Sequence, residues 1–320
     1  MVSRIRIRAP SHVHLGNFDL NGEYGRLFGT IGFALENPYV EVEVSISDST
    51  DISGSYVDIS KDVLNKFLQM FNVNKNFSIK VLNSYKRGVG LGLTTSLTLS
   101  IVYGLARLCS IDIDIVEVAP KFGRGVVSGL GVYSFKYGGA IVDAGYRVDK
   151  FGKVPPLVYR GEIPKSWYFI VALPRNIPER VLEVKSREVE ILRKLPKMSE
   201  EMVGKLCRIV LVKLIPAIEE QDIEQFGKAI TEFNKITGTY WSYIQEGIYC
   251  SSEVERGIEI MLQEGCVGAA QSCWGPTFYG VCDSYKTCER VKKRLMEEID
   301  LECIYITNVD NRGAKILTLE

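Results

Sequence analysis

The chain has 320 residues with 39 basic and 39 acidic side chains, a balance that argues against a nucleic-acid or membrane-surface protein while leaving room for a local basic pocket. That length can bury a sizeable core and suits two subdomains. The apolar runs are interrupted, as Lys213 and Pro216 interrupt residues 209–218, so none reaches the roughly 18 residues of a membrane span; the alternating N-terminus has no signal-peptide core, and the expected location is the cytoplasm.

Residues 2–8 alternate as a strand does; Ala9-Pro10-Ser11 ends the regular pattern and His12-Val13-His14 resumes it. These are the two histidines of the protein, and in extended chain they face the same side. Followed by Gly16-Asn17-Phe18-Asp19, they read as the wall of a site; a metal would need a third ligand, and none stands nearby. Arg26 lies between small residues, either gripping a carboxylate or phosphate with its planar fork or resting on the surface of a turn. A strand follows at 40–44, a short amphipathic helix at 61–71 and a strand at 77–82.

That strand enters Lys86-Arg87-Gly88-Val89-Gly90-Leu91-Gly92-Leu93-Thr94-Thr95-Ser96, which opens a helix over roughly 95–109. Glycine permits close approach of the backbone to a ligand. Thr94, Thr95 and Ser96 have the chemistry of N-caps, and a helix N-terminus favours an anion. The segment is either a phosphate cradle or a plain tight turn. It is neither a Walker loop nor the dinucleotide G-x-G-x-x-G, because its glycines run G-x-G-x-G. A second glycine-rich segment, Gly123-Arg124-Gly125 to Ser128-Gly129-Leu130-Gly131, lies in a stretch from Val118 to Val142 without an acidic residue, and a strand ends at Asp143.

Residues 153–167, with Pro155, Pro156 and Pro164, read as a connector, and an apolar strand from Trp167 closes at Pro174. Helical periodicity dominates 186–264, with breaks expected near Pro196 and Gly238. Strands near 277–282, 302–307 and 314–319 and a helix near 284–298 complete an α+β layer. A third small-residue segment, Gly268 to Gly280, contains Ser272, Cys273 and Trp274. The eight cysteines include no C-x-x-C pair and read as reduced, buried thiols, Cys273 alone lying in a loop of interest.

Three distant small-residue segments can close on one phosphorylated ligand, and together they resemble the GHMP kinase superfamily. Its first motif resembles Ala9 to Gly16, its second Gly90 to Ser96 with Lys86 where a proline would stand, and its third Gly268 to Gly280. The resemblance implies an α+β fold of two domains, an N-terminal α/β domain over 1–155 carrying the phosphate loop and a C-terminal ferredoxin-like α+β domain over 156–320. Phe18 to Gly22 with Gly25-Arg26, Gly123 to Tyr133, and Asn308 to Ala314 resemble one branch, the archaeal β-ribofuranosylaminobenzene 5′-phosphate synthases. That likeness implies decarboxylating transfer of phosphoribose from phosphoribosyl pyrophosphate to 4-aminobenzoate, in synthesis of a tetrahydromethanopterin-type coenzyme.

Pyrophosphate as leaving group calls for backbone N–H groups and cations, for which the Gly88 to Ser96 loop with Lys86 or Arg87 is suited. Arg124 or Arg26 is expected to hold the ribose 5-phosphate, with Ser128 and Ser272 in the binding loops. His12 or His14 is expected to supply a proton to the ring carbon that loses carboxylate, with Asp19 orienting one of them or binding ribose hydroxyls. Trp274 either stacks on the ring or packs in the core. Mg²⁺ is expected to accompany the phosphorylated substrate, with no organic cofactor; a homodimer is common for the fold. The alternative is an ATP-dependent small-molecule kinase; against it, the acid-free stretch offers no aspartate near Ser128 to activate a hydroxyl.

Overall fold

The structure is a computed structural model that describes residues 3–186, 191, 194 and 196–319. Two sheets organise it. The first is built on a long antiparallel pair, β1 (Arg4–Asp19) and β3 (Gly29–Ser47), with β2 (Arg26–Leu27) in the turn between them. Strand β4 (Asp51–Gly54), helix α1 (Val57–Phe71) and strand β5 (Asn76–Asn83) follow. Then come α2 (Leu93–Leu108), α3 (Ile115–Val118), α4 (Leu130–Tyr137), β6 (Ala140–Asp143), β7 (Tyr146–Arg147) and β8 (Leu157–Gly161). The second half contributes β9 (Tyr168–Pro174), β10 (Gly268–Gln271), β11 (Phe278–Cys282), β12 (Leu301–Thr307) and β13 (Lys315–Leu319).

The first sheet runs β13-β1-β3-β5-β4, with β6 paired to β3 and β8 to β6. Alternation explains its core: Ile5 and Ile7 of β1 and Val40, Val42 and Val44 of β3 point to the face covered by Leu97, Ile101 and Leu105 of α2. The second sheet runs β10-β11-β9-β12. Helices 223–245 and 252–263 lie between its first and second strands in the chain, and helix 285–298 between its third and fourth. This is the βαββαβ plan of a ferredoxin-like layer, as the resemblance implied. Phe33 joins the two sheets, its ring 5.3 Å from Phe226 and 5.8 Å from Phe169.

Several boundaries differ from the sequence expectation. The interruption read at Ala9-Pro10-Ser11 is a register shift between Pro10 and Ser11 inside one continuous β1, a bulge that a proline fits. Strand β3 begins at Gly29 instead of residue 40. Gly238 does not break a helix; it lies inside the helix Ile223–Gln245, where a Cβ would come within 2.4 Å of the Ile248 carbonyl oxygen. The connector contains β8, hydrogen-bonded into the first sheet, and β13 returns to that sheet from the far end of the chain. Among the described residues no helix is long and apolar enough to cross a membrane.

Candidate functional site

The three small-residue segments meet at the end of β1. Gly92 is the N-cap of α2 with φ 76°, and a Cβ on it would stand 1.9 Å from His12 Cε1; only a glycine lets the histidine ring lie on this backbone. On the other side a Cβ at Gly131 would be 3.0 Å from the same carbon, so His12 is the spacer between the first two segments. Ser272 ties in the third. Its hydroxyl accepts from His14 N at 2.9 Å and donates to the Gly90 carbonyl at 2.7 Å. Cys273 N donates to the His14 carbonyl at 2.8 Å, and Thr277 N to that of Val89 at 3.3 Å. A Cβ at Gly90, where φ is 92°, would collide with the Ser272 carbonyl at 2.8 Å.

Behind this joint, Asn234 of the helix Ile223–Gln245 donates to the carbonyls of Leu15 and Gln271 and accepts from Gln271 N at 2.9 Å, fixing β1 against β10. In front of it opens a cavity of about 290 Å³, walled by His14, Asn17, Phe28, Arg124, Ser128 and Trp274. A narrow recess of about 20 Å³, room for a water, continues from it between Trp241, Asn234, Gln245 and Gln271. Trp274 is itself 5% exposed and lies on Trp241, ring centroids 4.3 Å apart at 52°, so one side of it packs in the core while its edge faces the cavity.

The electrostatics single out one cation. Arg124 is half-buried in the cavity wall, and among the described residues it forms no ion pair. Burial lowers its pKa, and the neighbouring Arg87 guanidinium lowers it further. Two guanidiniums that feel each other leave a positive field for an anion to neutralise.

Other expected residues have structural tasks. Lys86 is paired with Glu302. Arg26 donates to the Gly145 carbonyl at 2.9 Å beside the two-stranded β2–β7 sheet and lines a separate surface recess with Arg147. Asp19 Oδ1 accepts from Asn21 N at 2.9 Å and Gly22 N at 3.2 Å, closing its own turn. Thr94, Thr95 and Ser96 are not N-caps, because Gly92 holds that position; the Thr95 and Ser96 amides donate to its carbonyl. Ser96 is buried, its hydroxyl donating to the Pro10 carbonyl at 2.8 Å, which locks α2 onto β1. His12, buried and beside His14, has its pKa lowered to about 3 and stays neutral near pH 7, and among the described residues its Nδ1 has no hydrogen-bond partner. His14 reaches the cavity. Cys109, Cys207, Cys273 and Cys303 are only partly buried, the other four cysteines fully so.

One residue beside the cavity escaped the sequence reading. The acid-free stretch ends at Asp143, and the fold carries this carboxylate back beneath the loop: Oδ2 accepts from Gly129 N at 2.8 Å and lies 3.5 Å from Ser128 Oγ. The expectation of no aspartate near Ser128 is therefore overturned. The signal was an aspartate ending a four-residue strand whose other three residues are apolar.

Comparison with known proteins agrees with this fold. Residues 58–139 match the family model for the GHMP kinases N terminal domain and residues 214–299 that for GHMP kinases C terminal. The chain is 31% identical over 337 residues to the β-ribofuranosylphenol 5′-phosphate synthase of Methanothermobacter thermautotrophicus, covering 98% of this chain and 99% of that one. It is 29% identical over 328 residues to the protein of the same name from Archaeoglobus fulgidus, covering 98% and 99%. Among solved structures, L. major mevalonate kinase in complex with R-mevalonate superposes with a TM-score of 0.72 at 16% identity over 96% of each chain. Homoserine kinase from Cytophaga hutchinsonii gives 0.71 at 18% identity over 99% of this chain and 98% of that one. At these identities the structural likeness shows the fold alone.

Proposed function

We propose that this chain, which belongs to the GHMP kinase family and within it to the branch of the β-ribofuranosylphenol 5′-phosphate synthases, transfers phosphoribose from phosphoribosyl pyrophosphate to the ring of 4-aminobenzoate or its 4-hydroxy counterpart, releasing carbon dioxide and pyrophosphate. The observation that carries the reading is Arg124: a half-buried, unneutralised guanidinium beside Arg87 on the wall of a cavity that also offers aromatic sides in Phe28 and Trp274. Such a wall takes an anion at one end and a flat ring at the other.

The atoms balance without an added acid. The bond between the anomeric carbon and pyrophosphate breaks, its electron pair leaving with pyrophosphate. The ring carbon bearing the carboxylate donates a π pair to the anomeric carbon and forms the new C–C bond. The bond to the carboxylate then breaks, and its pair restores the aromatic ring as carbon dioxide departs. No proton is delivered to that carbon, so the expected proton donor is not needed; His12, neutral and packed between two glycines, is held as a spacer. His14, on the cavity wall, serves the acceptor by taking a hydrogen bond from its 4-amino or 4-hydroxyl group, which raises electron density at the ring carbon opposite. Arg124 and Arg87 meet the charge on the phosphates. Among the described residues no cluster of three acidic, histidine or cysteine side chains is placed to hold a metal ion, so Mg²⁺ enters as the counterion of the diphosphate.

The test is to incubate the protein with Mg²⁺, phosphoribosyl pyrophosphate and either 4-aminobenzoate or 4-hydroxybenzoate. Equal release of carbon dioxide and pyrophosphate with one of them is expected, and no release with either overturns the reading. Among the described residues the cavity lining includes no carboxylate, and Asp143 beneath it is buried and taken up by backbone donors, which tells against a kinase. Accordingly phosphoribosyl pyrophosphate should raise the melting temperature and ATP should not; the reverse pattern would establish the kinase.

A further inference from the structure

Asp143 is fully buried and has no cation beside it among the described residues. A lone buried carboxylate is costly unless donors satisfy it, and it is retained here by four of them. Oδ2 takes Gly129 N at 2.8 Å and faces Ser128 Oγ at 3.5 Å; Oδ1 takes Gly145 N at 2.9 Å; the Thr30 amide adds a further bond. These donors come from three stretches far apart in sequence: the cavity loop, the start of β3, and the turn after β6 whose carbonyl also holds Arg26. Ser128 in turn accepts from Leu130 N at 3.2 Å, passing the constraint into the first turn of α4.

We propose that Asp143 is a positioning residue for the anion subsite: by drawing Gly129 and Ser128 onto the end of β6 it fixes loop 123–129, and with it Arg124, at the cavity wall. The inference rests on reading that cavity as the phosphoribosyl site. An asparagine cannot replace it, because its amide would set a donor against one of the N–H groups the carboxylate receives. The clamp also titrates. The ionisable groups around it are Tyr133 of α4, whose hydroxyl donates to the Pro155 carbonyl at 2.7 Å, and Arg26, which reaches the same turn through the Gly145 carbonyl. Burial pushes the Asp143 carboxyl up to about 7 against the pull of its donors, so the clamp slackens as the pH falls below neutrality.

Steady-state kinetics of wild type and Asp143→Asn between about pH 6 and 8 decide the matter. For wild type, KM for phosphoribosyl pyrophosphate should rise on the acid side of about pH 7. For Asp143→Asn it should be roughly tenfold higher at the alkaline end, lack that rise, and change more than kcat does. A variant with wild-type KM and pH profile overturns the proposal. Should Asp143→Asn not fold, Ser128→Ala removes one donor and must move the midpoint of the wild-type profile upward; an unmoved midpoint also overturns it. Calorimetry with inorganic sulfate, which does not titrate in this range, separates this inference from the reaction. Sulfate held by wild type and roughly tenfold more weakly by Asp143→Asn supports the clamp even where no turnover occurs, and equal binding sinks it.

Discussion

A methyl group at Gly92 would stand 1.9 Å from His12 Cε1, on a backbone with φ 76°. The left-handed conformation alone costs a non-glycine residue about 1–2 kcal/mol, and displacing the His12 ring adds to it. Gly92→Ala is therefore expected to lower the melting temperature by several degrees, read by calorimetry. The two arginines that sequence left equivalent separate in the structure. Arg124→Gln removes a charge-assisted contact worth about 1.5–3 kcal/mol and should raise KM for phosphoribosyl pyrophosphate roughly 10- to 100-fold. Arg26→Gln loses a bond to the Gly145 carbonyl beside a separate two-stranded sheet and should leave that KM within about twofold while lowering stability by about 1 kcal/mol. Initial rates on the two variants check the contrast.

At the scale of elements, what the sequence disclosed is what periodicity controls. The alternation of Val40 to Val44, the turn-forming glycines before α2 and the amphipathic pattern of helix 285–298 each depend on near neighbours in the chain, and each appears where expected. Features set by distant partners were hidden. Pro10 stays in β1 because β3 accommodates a bulge opposite it, and Asp143 becomes part of the site because β6 carries it under a loop that precedes it in sequence. His12 and His14 were legible as a pair, but their different burial depends on Gly92 and Gly131. Gly238 shows the same contrast as a prediction. Helix propensity says that Gly238→Ala gains about 1 kcal/mol. Contact says otherwise, since the added carbon would meet the Ile248 carbonyl oxygen at 2.4 Å. Urea denaturation should show a loss of stability, and a gain would mean that this helix end moves freely away from Ile248.

Across the whole molecule, two buried groups oppose each other in their response to pH. The unfolded chain protonates His12 near the ordinary value of 6.5, the folded chain only near about 3. The unfolded state thus takes up the proton first, and stability declines as the pH falls through that window, by an amount on the order of a few kcal/mol. For Asp143 the folded chain keeps its proton up to about 7 where the unfolded chain releases it near 3.8, so stability declines as the pH rises between those values. His12→Asn removes the first effect. Denaturant midpoints for that variant should then fall with rising pH between about 4 and 7, where the wild type changes little; a wild-type profile would show that His12 is not held neutral.

Strand β13 lies against β1, Arg4 opposite Leu319, so the first sheet is sealed by residues from the other end of the polypeptide. A ribosome delivers the opening strand of this sheet long before its edge partner. Until then the flank of β1 is an unpaired backbone edge, open to pairing with another nascent chain. Pairing of residues 4–8 of β1 thereby waits until β13 has been made, and crowded polysomes expose that edge to misassembly.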